Sequence, residues 1–452
     1  MSNKNKIAEN IFLPLSDMFF GTSVSRQLKF LRTSQYWSRE QIDNYQNSRL
    51  RELILHSYQN VPFYRELFTD LRIKPSDIQT KEDLKKIPII TKEDLRKSKG
   101  KHIATNLKKK DLVYNSSSGS TGEPFQFYKT KSSESILTAA AIRGWDWMGY
   151  QLGDPYVKLS NNSRSSLLKR IQDYLNNSLY LSSKQLTSEE FNRLAQLIFN
   201  YNPKYLRGYP TPLYFLAQQI EKNHGTYQGS ALRAINTTGV TLSDKVRNKI
   251  EEIFGVKIFD AYSCEGGSVF FECPSHNYYH PSEEYAIQEY LEDGFTFSDP
   301  AKPLRHITTD LHNFASPFIR YDTQDYIVKG EEKTCSCGTH FQNIKKILGR
   351  DSDVLVTPSG KYVSAENFVA YFEWIIEVEQ IQVVQNIINE IIIKMIVNDK
   401  FTNDTLEKVQ SYWQTYIGSD VNVIVEIVDE IKLTPTGKRR IVIRNPEIKL
   451  ND

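Results

Sequence analysis

Cysteine is scarce in this sequence: four residues in 452 are too few for the disulfide framework that holds small secreted domains together. Long apolar runs are missing as well. Ile391 to Val397, among the longest, is broken by Lys394 and falls far short of the roughly 20 residues that cross a bilayer as a helix. No integral membrane protein of that kind is expected. Charge of one sign is also lacking, because 57 Lys and Arg against 54 Asp and Glu leave a formal +3 over the whole chain. So small an excess implies no nucleic-acid partner. Met1 to Asn10 offers no charged-then-apolar secretory leader, and a reduced, cytoplasmic protein is the expectation. With 39% hydrophobic and 25% charged residues, what remains is the balance of a globular chain long enough for two or three domains.

Apolar periodicity then divides the chain. Ile42, Tyr45, Leu50, Leu53, Ile54 and Tyr58 recur at helical spacing until Val61-Pro62 ends the pattern, predicting a long helix over 39–60. From Val113 to Phe259 strand-like and helix-like segments alternate, the signature of α/β architecture with parallel sheets covered on both faces. From Tyr285 to Val328 short β segments with turn residues take over and predict a β subdomain, placed at about 270–348. After Gly349 the pattern changes to strand Val354 to Val356, helix Ser364 to Val378, two strands, helix Thr402 to Tyr416 and strand Val421 to Val428. That is a compact α+β unit. The boundary falls near Gly349-Arg350-Asp351, giving a large domain over 1–349 and a small one over 350–452.

Asn115-Ser116-Ser117-Ser118-Gly119-Ser120-Thr121-Gly122-Glu123-Pro124 follows a short strand and crowds hydroxyls and glycines into one loop. Such a loop can aim several N–H groups and hydroxyls at a phosphate, although composition alone also fits a flexible linker. It is not a Walker loop, for no Gly-Lys-Ser/Thr is present. The order Ser-Ser-Gly-Ser-Thr-Gly-Glu-Pro resembles the phosphate-binding signature of adenylate-forming enzymes, and further segments follow in that superfamily's order. Leu206-Arg207-Gly208-Tyr209-Pro210-Thr211 and Ile235-Asn236-Thr237-Thr238-Gly239 resemble two segments of its phenylacetate-CoA ligase and CapK branch. Asp260-Ala261-Tyr262-Ser263-Cys264-Glu265 is similar to the next, without the usual glycine after the tyrosine. Phe318 to Asp325 matches an Arg-Tyr-x-Thr-Gly-Asp pattern with Gln324 in the glycine's place, Leu348 to Asp353 matches the hinge, and Leu433 to Arg440 matches the loop of the catalytic lysine. Taken alone, Asp325 reads as a turn aspartate and Gly437-Lys438-Arg439-Arg440 as a solvated basic turn.

The resemblance implies a large N-terminal adenylate-forming domain, a small mobile C-terminal domain, and roles for particular residues. Ser117, Ser118, Gly119, Ser120, Thr121 and Gly122 would cradle the phosphates of ATP, and Thr238 and Gly239 would lie along the adenine. Asp260 belongs to the next nucleotide-binding segment, in which Tyr262 would stack on the base and Ser263 touch the α-phosphate. Glu265 would help hold Mg2+, Asp325 would take the ribose hydroxyls, Arg350 would belong to the hinge, and Lys438 would be catalytic. Tyr209 and Thr237 would line the acyl pocket.

Cys273, His280, Cys335 and Cys337 form a Cys3His set, the composition of a closed structural zinc site, although a C-x-C pair also occurs as free buried thiols. His276, His340 and Cys264 are further candidates. The branch carries zinc on a similar pattern, which favours the metal. The expected function is that of an AMP-forming acid ligase that makes an acyl-AMP from a small carboxylic acid and ATP and passes the acyl group to CoA. The alternative acceptor is an amine or hydroxyl of a sugar or amino acid in surface polysaccharide synthesis. A homodimer is left open.

Overall fold

The computed structural model describes residues 2–117, 125–160, 173–174, 176–183, 188–292, 303–350, 354–359, 362–372, 375–432, 440–445 and 447–448. A hairpin of β1 (Leu112–Ser117) and β2 (Phe125–Thr130) flanks the serine-rich loop, with Ser117 opposite Phe125. Thr130 then caps the helix α1 (Lys131–Trp147), its hydroxyl accepting from the Ser133 N–H.

The centre is a mixed sheet of eleven strands. Five of them run parallel: β3 (Tyr156–Ser160), β4 (Ser178–Ser182), β5 (Tyr205–Gly208), β6 (Ala234–Thr238) and β7 (Lys257–Ser263), in the order β7-β6-β5-β3-β4. The alternation of side chains sorts each strand between two faces. Val157, Leu159, Leu206, Ile235 and Ile258 pack under α2 (Ser188–Tyr201), α3 (Pro210–His224) and α4 (Asp244–Phe254). Tyr156, Tyr205, Ala234, Phe259 and Ala261 meet Trp145, Ala139 and Ile142 of α1 on the other face. Covering on both faces lets apolar side chains of these strands be buried on either side of the sheet.

The remaining strands are β8 (Val269–Glu272), β9 (Tyr279–Pro281), β10 (Ala286–Leu291), β11 (Leu304–Asp310), β12 (Tyr321–Lys329) and β13 (Ile344–Arg350). They are antiparallel, and they continue the parallel strands without a break, in the order β10-β11-β12-β13-β9-β8-β7. The stretch that the sequence sets apart as a β subdomain therefore shares its hydrogen bonding with the parallel half. The join is the tight return from β7 to β8, where Gly267 has φ +100° and a Cβ would lie 2.6 Å from Cβ of Asp310. Only glycine fits there.

After β13 come the short pair β14 (Val354–Val356) and β15 (Tyr362–Ser364) and the helix α5 (Ala365–Phe372). A four-stranded sheet follows, built from β16 (Val378–Gln385), β17 (Glu390–Val397), β18 (Asn422–Ile427) and β19 (Val442–Arg444), with α6 (Asn403–Ile417) against it. Its own core holds Phe368, Ile391, Ile393, Met395, Val409 and Trp413. The helix expected from Ser364 to Val378 stops at Phe372, because Val378 already pairs with Val397 in the sheet. Among the described residues no helix is long and apolar enough to cross a membrane.

Candidate active site and metal centre

Strand β7 delivers Asp260, Tyr262 and Ser263, and the turn behind it presents Glu265. Tyr262 packs against Phe270 and His306 and donates its hydroxyl to Oδ2 of Asp325 on β12. The residues expected at the base and at the ribose thus meet directly, from segments 63 positions apart. Burial first, and then the charge of Asp325, raises the Tyr262 phenol far above its ordinary value, so it stays a donor. His306 beneath them is fully buried and pushed down to about 3, a neutral packing group.

Asp325 is held by strand geometry. Its N–H donates to Oγ1 of Thr323, whose own hydroxyl donates to the His306 carbonyl. Gln324 between them has φ +61°, the left-handed conformation. That is a physical reason for the glycine expected in the pattern at this place. Arg350 lies directly across the ladder from Asp325, which puts the expected hinge beside the expected ribose site.

Oε1 of Glu265 accepts from Nζ of Lys92 at 3.0 Å and from the Tyr321 hydroxyl at 3.4 Å. Lys92 opens the short helix Lys92–Lys97, and Ile90 just before it is bonded to Arg320 and Asp322 at the start of β12. Sequence reasoning missed this lysine, since Thr91-Lys92-Glu93-Asp94 reads only as a capped helix start with solvated charges. A carboxylate that already holds one cation has the chemistry to hold a divalent ion together with phosphate oxygens.

Two expected residues face inward. Thr237 is fully buried and donates its hydroxyl to Oδ1 of Asp260 at 2.5 Å, while Tyr279 donates to Oδ2 at 3.0 Å. Burial lifts the Asp260 acid to about 7 despite these donors. Both side chains therefore brace β6 against β7. Thr238 is half-buried at the end of β6, Gly239 follows with φ +82°, and Tyr209 stands at the N-cap of α3. Cys264 is a neutral thiol, pushed up to about 12 by burial and then by the charge of Glu265. Ser118, Gly119, Ser120, Thr121, Gly122 and Lys438 lie outside the described residues, and for Ser117 and Arg350 only the backbone is described.

Cys273, His280, Cys335 and Cys337 come together, with one ligand atom of each within 4.8 Å of the others. The Sγ atoms of Cys273 and Cys335 are 3.7 Å apart, and Sγ of Cys337 is 3.4 Å from Nε2 of His280. Bonds of about 2.3 Å to sulfur and 2.0 Å to nitrogen set tetrahedral edges of about 3.8 and 3.5 Å, so the cluster has the size of a zinc site. Nδ1 of His280 lies 3.0 Å from the Gln342 carbonyl; donation there leaves Nε2 as the ligand atom. The hydrogen bond between Cys273 and Cys337 pulls the Cys273 thiol down and pushes that of Cys337 up, as for two thiols that share one proton. His276 and His340 stand apart, against Glu272 and Thr334 respectively.

Residues 355–445 match the family model described as the CapK C-terminal domain. Over 409 residues the chain is 24% identical to Protein CapK of Staphylococcus aureus, covering 88% of each. It is 25% identical over 334 residues to the phenylacetate-coenzyme A ligase of Thermus thermophilus, covering 70% of this chain and 72% of that one. A crystal structure of 2-hydroxyisobutyryl-CoA ligase in the postadenylation state, in complex with R3-HIB-AMP, superposes with a TM-score of 0.72 at 17% identity, covering 92% of each chain. The fold is thus that of the adenylate-forming ligases. Within that class the chain is similar in sequence to Protein CapK and to phenylacetate-coenzyme A ligase, and its residues 355–445 match the CapK C-terminal domain.

Proposed function

We propose that this protein is an ATP-dependent, AMP-forming acid ligase that converts a small carboxylic acid to its acyl-adenylate and passes the acyl group to CoA. The observation that carries this reading is that Tyr262 meets Asp325 directly, while Glu265, three residues after Tyr262, is bonded to Tyr321 on the same strand as Asp325. An aromatic ring, a carboxylate suited to two vicinal hydroxyls and a cation-binding carboxylate are what a nucleotide triphosphate needs along its length.

A carboxylate is a poor electrophile. In the proposed reaction its oxygen attacks the α-phosphorus of ATP, pyrophosphate leaves, and the mixed anhydride then yields its acyl group to a thiol with release of AMP. Charge accumulates on the phosphate oxygens in the first step, and the protein must stabilise it there. Ser117 to Gly122 and Lys438 are assigned that task. Mg2+ held by Glu265 would neutralise phosphate charge, and Lys92 would yield its place on that carboxylate or share it. Residues 1–349 are assigned as the adenylation domain and 350–452 as the small domain that brings Lys438 to the site, turning at Gly349 to Asp353.

The Cys3His cluster is assigned as a structural zinc site that binds the 335–337 turn to the end of β8 and to β9. A second acceptor class, an amine or hydroxyl in surface polysaccharide synthesis, is supported by the match of 355–445 to the CapK C-terminal model, since that unit would present the acceptor. Pyrophosphate exchange against aryl, hydroxy, uronic and amino acids tests the first step. Product formation that requires CoA selects the thioester, and formation that requires an amine or sugar selects the alternative. Exchange with no acid at all rejects adenylation.

A further inference from the structure

Arg207 has a setting that neither packing nor the proposed nucleotide site explains. It lies near the end of β5, in register with Asn236 of β6 and Lys158 of β3, so all three side chains leave the sheet on the α1 face. Trp145 near the end of α1 lies over the guanidinium, 3.6 Å from its ring centre, and Tyr156 flanks it at 5.8 Å. Nε of Arg207 reaches Oδ1 of Asn236 at 3.4 Å, and the Asn236 amide is oriented by the carbonyls of Thr237 and Phe259.

Among the described residues no carboxylate lies within ion-pair reach of Arg207. The acids nearby in sequence are engaged elsewhere, Asp154 with Lys204 and Asp146 with Arg32. Desolvating a guanidinium against aromatic rings with only neutral dipoles beside it is costly. A bound anion removes that penalty, and a guanidinium backed by an indole is suited to hold a carboxylate by paired hydrogen bonds.

The register also says where along a substrate that anion sits. Thr238 on β6 and Ser263 on β7 leave the sheet on the same face as Arg207. Ser263 is two strand spacings away, about 10 Å across the sheet, and nearer the strand ends where the α-phosphate is assigned. Arg207 is therefore too remote to hold the reacting carboxylate and lies instead further back along the strands, on the face that α1 covers.

We propose that Arg207 binds a second anionic group at the far end of the acyl substrate, so that the acids activated here are dicarboxylates or acids with an equivalent anionic tail. This rests on the adenylation reading and deepens it. Lys158 adds positive potential on the same face, and Trp145 holds the guanidinium flat against the tail.

The test is pyrophosphate exchange by the full chain with acids matched in length but not in tail charge: adipate against hexanoate, and terephthalate against 4-methylbenzoate. Wild-type protein should favour each diacid in kcat/KM by about 10,000-fold, the scale on which a site built for a polar group rejects an analogue without it. In Arg207→Met that preference should collapse through a rise in the KM for the diacid, with the KM for ATP in place. Arg207→Lys should recover part of it, which a purely structural role would not produce. Preference for the uncharged-tail acids in the wild type, or an unaltered diacid preference in Arg207→Met, overturns the assignment while leaving adenylation standing. Exchange with none of the acids, nor with the wider panel above, removes the adenylation reading and this inference with it.

Discussion

Gln324 shows how a single backbone angle can be read as chemistry. A side chain at φ +61° brings Cβ against the following carbonyl, a strain of about 1 kcal/mol that glycine does not carry. Gln324→Gly should therefore raise stability by up to about 1 kcal/mol in urea unfolding, reduced by the extra freedom glycine gives the unfolded chain; a loss of 1 kcal/mol would mean the side chain is needed. Asp260 makes a second test at this scale. Its acid is raised by burial from 3.8 to about 7, so the native chain binds a proton more tightly than the unfolded chain between those values. The stability due to the protonated form is complete below pH 4 and declines as pH rises through 7. Against Asp260→Asn, which cannot titrate, the wild type should lose ground in melting temperature between pH 5 and pH 8. A difference that stays flat over that range would contradict the raised acid. Tyr262, Glu265 and Asp325 could be named as candidates from the sequence because each stood in an ordered set of motifs. Lys92 and Arg207 were not, because what singles them out is a partner, or the want of one, across the fold.

At the scale of elements, period and turn chemistry predict most helices and strands of the parallel half, where each segment is long enough to show one repeat. They fail where an apolar run has two uses. Phe372 to Val378 continues a helical pattern, yet Val378 begins a strand whose partner is 19 residues further on. The continuity of the antiparallel strands with the parallel ones was equally hidden, since strand order is set by long-range pairing. The cysteines point the other way: their spacing alone left free thiols open, and the fold brings all four ligands together from β8, β9 and the 335–337 turn. Protein purified without chelator should contain about one equivalent of zinc, and Cys337→Ser should retain less than a tenth of that. The same variant should be destabilised by several kcal/mol, since binding free energy at a closed site is folding free energy. A metal-free wild type with an unaltered melting temperature would count against the site.

For the whole molecule, the proposed chemistry draws on two parts of the chain with separate cores. Tyr262 and Asp325 belong to the eleven-stranded sheet and Glu265 to the turn after β7, whereas Lys438 precedes β19 of the four-stranded sheet in sequence. If the lysine acts only on the phosphates, its loss should fall on one half-reaction. Lys438→Ala is expected to slow adenylate formation by about 100-fold or more, the scale of removing one donor from a developing negative charge. The same variant given preformed acyl-AMP should still transfer the acyl group to its acceptor at a rate within a few-fold of wild type, because no charge then builds on a triphosphate. Loss of both steps together would mean that the lysine supports the small domain's structure instead. Unchanged pyrophosphate exchange would mean that the loop near the C-terminus never reaches the nucleotide, and the division of labour between the two sheets would have to be redrawn.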